Sequence, residues 1–503
     1  MQAYLLLALT PLILIVVLLL FLKRPLYQAA PITLVYTAIL AYVVWQEELP
    51  FAQAAIGKGG LIALDILLII FGAIFFLRFL QKTGLIEDLE SYLTSISPDQ
   101  RIQTILLAWF FLSFIEGMSG FGTPMAIVAP LLVGLGFPAV TAVAVALVGV
   151  GTSVAFGAVG TPIRVGLAGL PTEQVPLYAA GINLFVGALM PIFIIWTLLR
   201  LTGRDERGKL REILPFLLFA GFALTIPYFA ASFIGQEFPS LLGPPVGLVI
   251  TIIALKTGWF APKRVWRLSA KKSPLIRSPS LVKTLLPYVV FIALLLAGKL
   301  FLDGKWTVSL PAGVAGTIAH FNPGYAFIVA VFVAAALEKV SLETVVAAAG
   351  SAFKTLLKPF VAIFCISAFV QLMIYSGNNP IGMPGMLDLL GGILVTPLLP
   401  FLAPFVGMFG AFVSGSATVS NLLFANFQYK AATTLGLDTQ PILALQTIGG
   451  GVGNTVSLTD ISAVEATVGL HNEENTLLRA VAPPVLAYLT LAGLLGLCIA
   501  YLL

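Results

Sequence analysis

Charge is what this chain has least of. Only 10% of its 503 residues are Asp, Glu, Lys or Arg, against roughly 25% in a soluble domain. Cysteine is almost missing. Cys365 and Cys498 stand far apart in apolar runs, which excludes a disulfide framework and leaves both as small buried hydrophobes. His320 and His471 have no ligand spacing around them, so no metal centre is expected. No Ser/His/Asp set, HExxH helix or paired-Cys motif occurs. GGGVGNT lacks the Lys-Ser/Thr ending of a phosphate loop, and GFGTP follows no strand. An enzyme is therefore not expected, nor is a cofactor. The net charge of +5 is scattered between apolar runs, which argues against a nucleic-acid partner.

Apolar residues fill the space that charge leaves: 59% of the chain, with a mean hydropathy of +1.03. Such a chain reads as an all-α polytopic membrane protein. At about 20 residues per span, the length allows about 12 transmembrane helices beside re-entrant and broken segments. Tyr4–Leu22 lacks a basic start and a small-residue cleavage site, so it reads as a span rather than a signal peptide. Lys23 and Arg24 then lie inside, and Glu47 and Glu48 outside. The expected location is the cell (inner or plasma) membrane. Residues 256–283 carry eight basic residues and no acid. They read as a cytoplasmic linker beside anionic lipid headgroups, dividing a first half, 1–255, from a second, 284–503.

Four polar interruptions break the apolar runs: EGMSGFGTP (116–124), GTSVAFGAVGTPIR (151–164), SGSATVSN (414–421) and GNTVSLTD (453–460). A bilayer tolerates irregular backbone only where protein buries it or a cavity hydrates it. Paired interruptions in two halves point to a transporter's binding site. Shifting the sequence by 300 aligns 135–170 with 435–470 and superposes Gly149 on Gly449 and Gly151 on Gly451. The order of span, break and hairpin recurs in 57–200 and 350–503. Loop charges run these two repeats in opposite directions, predicting inverted repeats with two re-entrant hairpins and two broken helices.

Glycine lets backbone approach a ligand, while Ser, Thr and Asn supply small neutral donors and acceptors. Free N–H groups at broken helices suit an anion. The candidate binding residues are Ser119, Gly120, Gly122, Thr123, Ser153 and Arg164 in the first half. In the second they are Ser414, Ser416, Thr418, Ser420, Asn421, Asn454 and Ser457. Close helix packing through small residues is the alternative for any one of these clusters. Glu116, Asp460, Glu465 and Asp65 are candidates for proton or ion coupling, since acids inside spans are costly to insert. Arg164 could grip a substrate carboxylate, pair with Glu116 or Asp460, or snorkel to the interface. Asp65 is expected to pair with Lys358.

SPDQRIQ (97–103), EGMSGFGTPMAIVAPLLVGLGF and FGAFVSGSATVSNLLFA, with the Gly–Ser frame across Gly449–Gly469, resemble the bacterial L-lactate permease family. That resemblance implies proton-coupled symport of L-lactate, often with D-lactate and glycolate, on inverted repeats with re-entrant hairpins. The chain departs from the family's pattern in places. Ala417 stands where members often carry an acid, and Asn454 where they carry Lys. Ser457-Leu458-Thr459 replaces an SPQ-like triplet, and Arg164 lies in TPIRV where members read IPILV. Arg164 could take over the role of the missing Lys. The implied partners are a small organic anion and H⁺, with Na⁺ as the other candidate ion and a homodimer as one assembly. A dicarboxylate or sulfonate transporter and a passive anion channel are the competing readings.

Overall fold

The computed structural model describes every residue except 1, 121, 204–205, 261, 263, 269–280 and 503. The middle of the expected basic linker therefore lies outside the described residues. Helices dominate because a spanning segment must satisfy its backbone internally. Ten described helices are long and apolar enough to cross a membrane, or eleven if one bent pair counts as a span.

In chain order, α1 (Gln2–Phe21), α2 (Leu26–Val43) and α3 (Leu49–Lys82) lead into a short amphipathic α4 (Leu85–Ser95). Next come α5 (Gln100–Ser119), α6 (Thr123–Gly134), α7 (Ala139–Val150) and α8 (Gly157–Arg164). The first half closes with α9 (Val175–Leu201), α10 (Glu206–Ser232) and α11 (Pro239–Lys256). After α12 (Leu281–Phe301), strands β1 (Lys305–Ser309) and β2 (Ala315–Ala319) pair antiparallel, with Lys305 opposite Ala319. The turn between them uses Ala312 and Gly313, both at positive φ.

Helices α13 (Pro323–Leu337), α14 (Leu342–Lys354) and α15 (Leu357–Tyr375) follow. A short α16 (Met386–Gly391) precedes α17 (Leu399–Ser414), α18 (Ala417–Leu435), α19 (Thr439–Gly453), α20 (Leu458–Thr467) and α21 (Glu474–Leu502).

Both hairpins turn where the sequence supplies positive-φ glycine. Helix α5 ends at Gly120 (φ 56) and α6 starts after Gly122 (φ 74), with Pro124 in its first turn. Helix α17 ends at Gly415 (φ 70), and Ser416 then caps α18 by accepting from Val419 N–H at 3.3 Å. A Cβ on Gly149 of α7 would sit 1.9 Å from the Ala108 carbonyl oxygen of α5. One on Gly449 of α19 would sit 1.9 Å from the Pro404 carbonyl oxygen of α17. In each half, only glycine permits the broken helix to lie on the hairpin's first helix.

Two expectations are corrected here. Asp65 pairs with Arg164, its oxygens 3.0 and 3.2 Å from Nε and Nη2, and not with Lys358. The ammonium of Lys358 lies 5.2 Å from the Tyr27 ring centre instead. A fixed carboxylate and a planar guanidinium make a better pair than the flexible lysine could. Cys365 is buried but Cys498 is exposed on the outside of the bundle, where lipid rather than protein would cover it.

Candidate functional site

The four interruptions converge. A cavity of about 30 Å³ is lined by Glu116 and Gly120 from the first hairpin, and by Gly157, Ala158, Thr161 and Pro162 from the first break. Gly415, Ser416, Ala417 and Thr418 of the second hairpin and Asn454 of the second break complete it. That volume holds one or two waters. A three-carbon acid needs the walls to separate.

Glu116 is only 3% exposed. A Cβ on Gly157 would sit 2.2 Å from its Oε1, so the break lends the carboxyl its space by lacking a side chain. Asp460 on α20 reaches the same hairpin tip, its Oδ1 being 3.3 Å from where a Gly122 Cβ would stand. Asp460 Oδ2 is buried without a partner, as is Asn454 Oδ1. Two acids and one orphaned amide oxygen therefore gather at the tip of the first hairpin.

The first break is held by its backbone. Ala158, Val159 and Gly160 take φ of 42, 57 and 73 in succession. A β-branched residue there is a steric outlier, and it reverses the chain so that α8 leaves at a new angle. The carbonyls that the break releases find side chains. Asn183 Nδ2 and the Tyr228 hydroxyl donate to Thr152 O at 3.4 and 3.1 Å, and Ser240 Oγ donates to Ser153 O at 2.8 Å. The Tyr488 hydroxyl donates to Asn183 Oδ1, so a second-half helix braces a first-half break.

Several expected ligands spend their polar atoms on the protein. Ser119 and Ser414 donate to carbonyls of their own helices, those of Ile115 and Gly410, and Ser153, in the turn after α7, donates to Val150 O. Ser420 donates to Gly407 O at 2.7 Å. Ser457 caps α20 by accepting from Asp460 N–H. Asn421 Nδ2 donates to Pro162 O at 2.9 Å and Thr447 Oγ1 at 3.1 Å, while its Oδ1 accepts from Gln446. Thr123 begins α6 with its N–H on Gly120 O. Glu465 is buried near the end of α20, away from the cavity lining.

Arg164 and Asp65 are not at this cavity either. They line a second one, a vestibule of about 460 Å³ beneath the β-hairpin, with Gln236, Glu237, Lys299, Asp303 and Lys305 among its walls. Arg164 Nη2 also donates to Phe321 O at 3.4 Å, and Asn322 donates to Asp65 O and Oδ1 at 2.9 Å. Residue-by-residue reading missed Asn183, Tyr228, Tyr488 and Glu237. The signal for the first was present: an amide alone in the apolar run YAAGINLFVG.

Comparison with known proteins agrees with the motifs. A family model described as L-lactate permease matches residues 4–301 and 314–503. A Salmonella typhi protein named L-lactate permease is 30% identical over 95% of this chain and 92% of its own length. The Escherichia coli K12 protein named glycolate permease GlcA is 29% identical over 99% and 95%. A Haemophilus influenzae protein named putative L-lactate permease is 28% identical over 85% of each chain. On a match spanning almost its whole length, this multi-pass membrane protein belongs to the L-lactate permease family.

Proposed function

We propose that the chain imports a small monocarboxylate such as lactate or glycolate by H⁺ symport, binding it where the two hairpin tips meet the two breaks. The observation that carries this is the convergence of four separate polar interruptions on one small cavity beside Glu116. Relatives named for lactate and glycolate support the substrate class. Ser416, Thr418 and Asn454 would offer neutral hydrogen bonds to the carboxylate, and Glu116 with Asp460 would carry the proton. Two acids beside an incoming anion favour protonation before binding, which couples the two fluxes.

The halves are proposed to be inverted repeats. Reciprocal contacts support this. A Cβ on Gly151 would lie 3.4 Å from Thr455 Oγ1, and one on Gly451 would lie 2.9 Å from Ala155 N. The shift of 300 exchanges these two pairs, as a pseudo-two-fold axis requires.

Proteoliposomes given ΔpH or ΔNa⁺ separately test the reading. Inward-directed ΔpH should drive lactate and glycolate uptake, while a C4 dicarboxylate is left behind. Glu116→Gln should retain exchange of labelled for unlabelled lactate but lose ΔpH-driven accumulation. Uptake indifferent to ΔpH would sink H⁺ symport, and uptake driven by ΔNa⁺ would replace it with Na⁺ coupling.

A further inference from the structure

The central cavity and the vestibule share a wall. Helix α8 lines the first with Thr161 and Pro162, and the second with Arg164 and Val165, one turn further on. The central cavity is too small for a three-carbon acid, so this wall must move before an acid in the vestibule can enter. A hinge stands at its start. Ala158, Val159 and Gly160 lead into α8 at left-handed φ. Residues in that region persist only while their surroundings hold them, and a few such dihedrals absorb a large swing.

The far end of α8 is tied down. Asp65 of α3 grips Arg164 Nε and Nη2 at 3.0 and 3.2 Å, and Phe321 O accepts from Nη2 at 3.4 Å. The carboxylate is itself held. Asn322 donates to Asp65 O and Oδ1 at 2.9 Å, while its own Oδ1 accepts from Gly324 N–H at 2.7 Å. Gly324 lies so close on α3 that a Cβ there would strike Leu68 O. Helix α3 and the start of α13 thus make one fixed jaw. Val165 adds apolar packing with Ala63, Ile66 and Ile70. Apolar packing can slide, whereas a bidentate fork has one geometry.

We propose that the Arg164–Asp65 fork is the latch of an outer gate, in which α8 swings on Ala158–Gly160 against the jaw of α3 and Asn322. The proposal rests on the site reading above and adds how that site is reached. With the fork made, vestibule and central cavity are separate; with it broken, they join. The two side chains are 15% and 26% exposed, so water reaches the pair and keeps it weak enough to open thermally. Glu237 Oε1, 3.8 Å from Arg164 Nη1, adds a longer attraction. Lys299, Asp303 and Lys305 are the other charges on the vestibule wall. The latch is one-sided. The proposed repeat sets Val464 opposite Arg164 and Lys358 opposite Asp65. Val464 is apolar and wholly buried, and Lys358 lies over Tyr27.

A single cysteine at Ala417, which lines the central cavity, reports opening once Cys365 and Cys498 are replaced. An impermeant thiosulfonate is applied to the outer side of right-side-out vesicles with no substrate present. Elution volume and thermal midpoint in detergent report folding. Asp65→Asn and Arg164→Gln should each speed labelling about two- to fivefold, the shift that one water-exposed ion pair gives an equilibrium. The double variant should label no faster than either single one, because both remove the same bond. Added salt should speed labelling of the Ala417→Cys parent and leave its Asp65→Asn form unchanged. In a second chain, without the Ala417 substitution, cysteines at 65 and 164 are bridged by a short reducible cross-linker. Bridging should abolish lactate uptake and reduction should restore it. Labelling unchanged in the single variants, effects that multiply in the double, or uptake that survives bridging would each overturn the gate. Because labelling needs no substrate, the predicted labelling in a protein that accumulates no lactate would uphold the gate and defeat the transport reading instead.

Discussion

Glu116 owes its position to a missing side chain. Gly157→Ala would place a methyl 2.2 Å from Oε1, closer than any real contact, on backbone that three left-handed residues already hold. The carboxyl must rotate away. We expect Gly157→Ala to abolish ΔpH-driven lactate uptake while the protein still elutes as the wild type does; uptake above half of wild type would show that Glu116 can act from elsewhere. A second acid is buried outside the spans. Glu47, between α2 and α3, is 3% exposed with both carboxylate oxygens unpartnered, and burial pushes its pKa up to about 8. A raised folded pKa means that the native state holds a proton the unfolded chain releases near pH 4.5. Its contribution is thus complete below that pH and lost as pH rises through about 8. Thermal midpoints measured from pH 5 to 9 should fall less steeply in Glu47→Gln; parallel curves would show that Glu47 does not matter. At this scale the sequence was partly legible. An acid amid glycines announced Glu116, but nothing local shows that Ser420 and Asn421 are occupied by carbonyls of other segments.

The element that matters most is α8, a helix of eight residues with a broken start. Gly160 takes φ 73, and a Cβ there would lie 2.5 Å from Gln236 O in the turn joining α10 and α11. Ala at a left-handed position costs about 1–2 kcal/mol before any clash. Gly160→Ala should therefore lower the thermal midpoint by several degrees; an unchanged midpoint would mean that this turn yields freely. On its other side, α8 is held by Asn421, whose amide bridges Pro162 O and Thr447. Asn421→Ala leaves a buried carbonyl unpaired, a cost of about 1–3 kcal/mol. It should reduce maximal uptake more than it raises KM, because no substrate contact is removed; the opposite split would make Asn421 a ligand. Both breaks were visible in sequence as Gly, Ser and Thr inside apolar runs. The left-handed turn at Ala158 and Val159 was not, since neither residue favours that conformation.

For the whole molecule, periodic apolar runs and loop charges were enough to foresee a helical bundle with two hairpins. The partner of Arg164 was not foreseeable, because Asp65 lies 99 residues away and only the packing of α3 against α8 brings them together. The proposed inversion has a direct test. With Cys365 and Cys498 replaced, single cysteines at Gly169 and Gly469, related by the shift of 300 and both exposed in turns, should label from opposite sides with an impermeant maleimide. Gly169 should react from outside and Gly469 from inside; same-side labelling would refute inverted halves. The glycine seams have a further bearing, on how substitution data would be read. A Cβ on Gly149 or Gly449 would lie 1.9 Å from a carbonyl oxygen, and neither residue lines the central cavity or the vestibule, yet any replacement there separates a break from its hairpin. A saturation screen scored on growth would rank them with Glu116, so intolerance alone would draw the ligand site too wide. Sorting by surface abundance would divide the map: seam variants should vanish from the membrane, whereas Glu116 variants should arrive intact and idle.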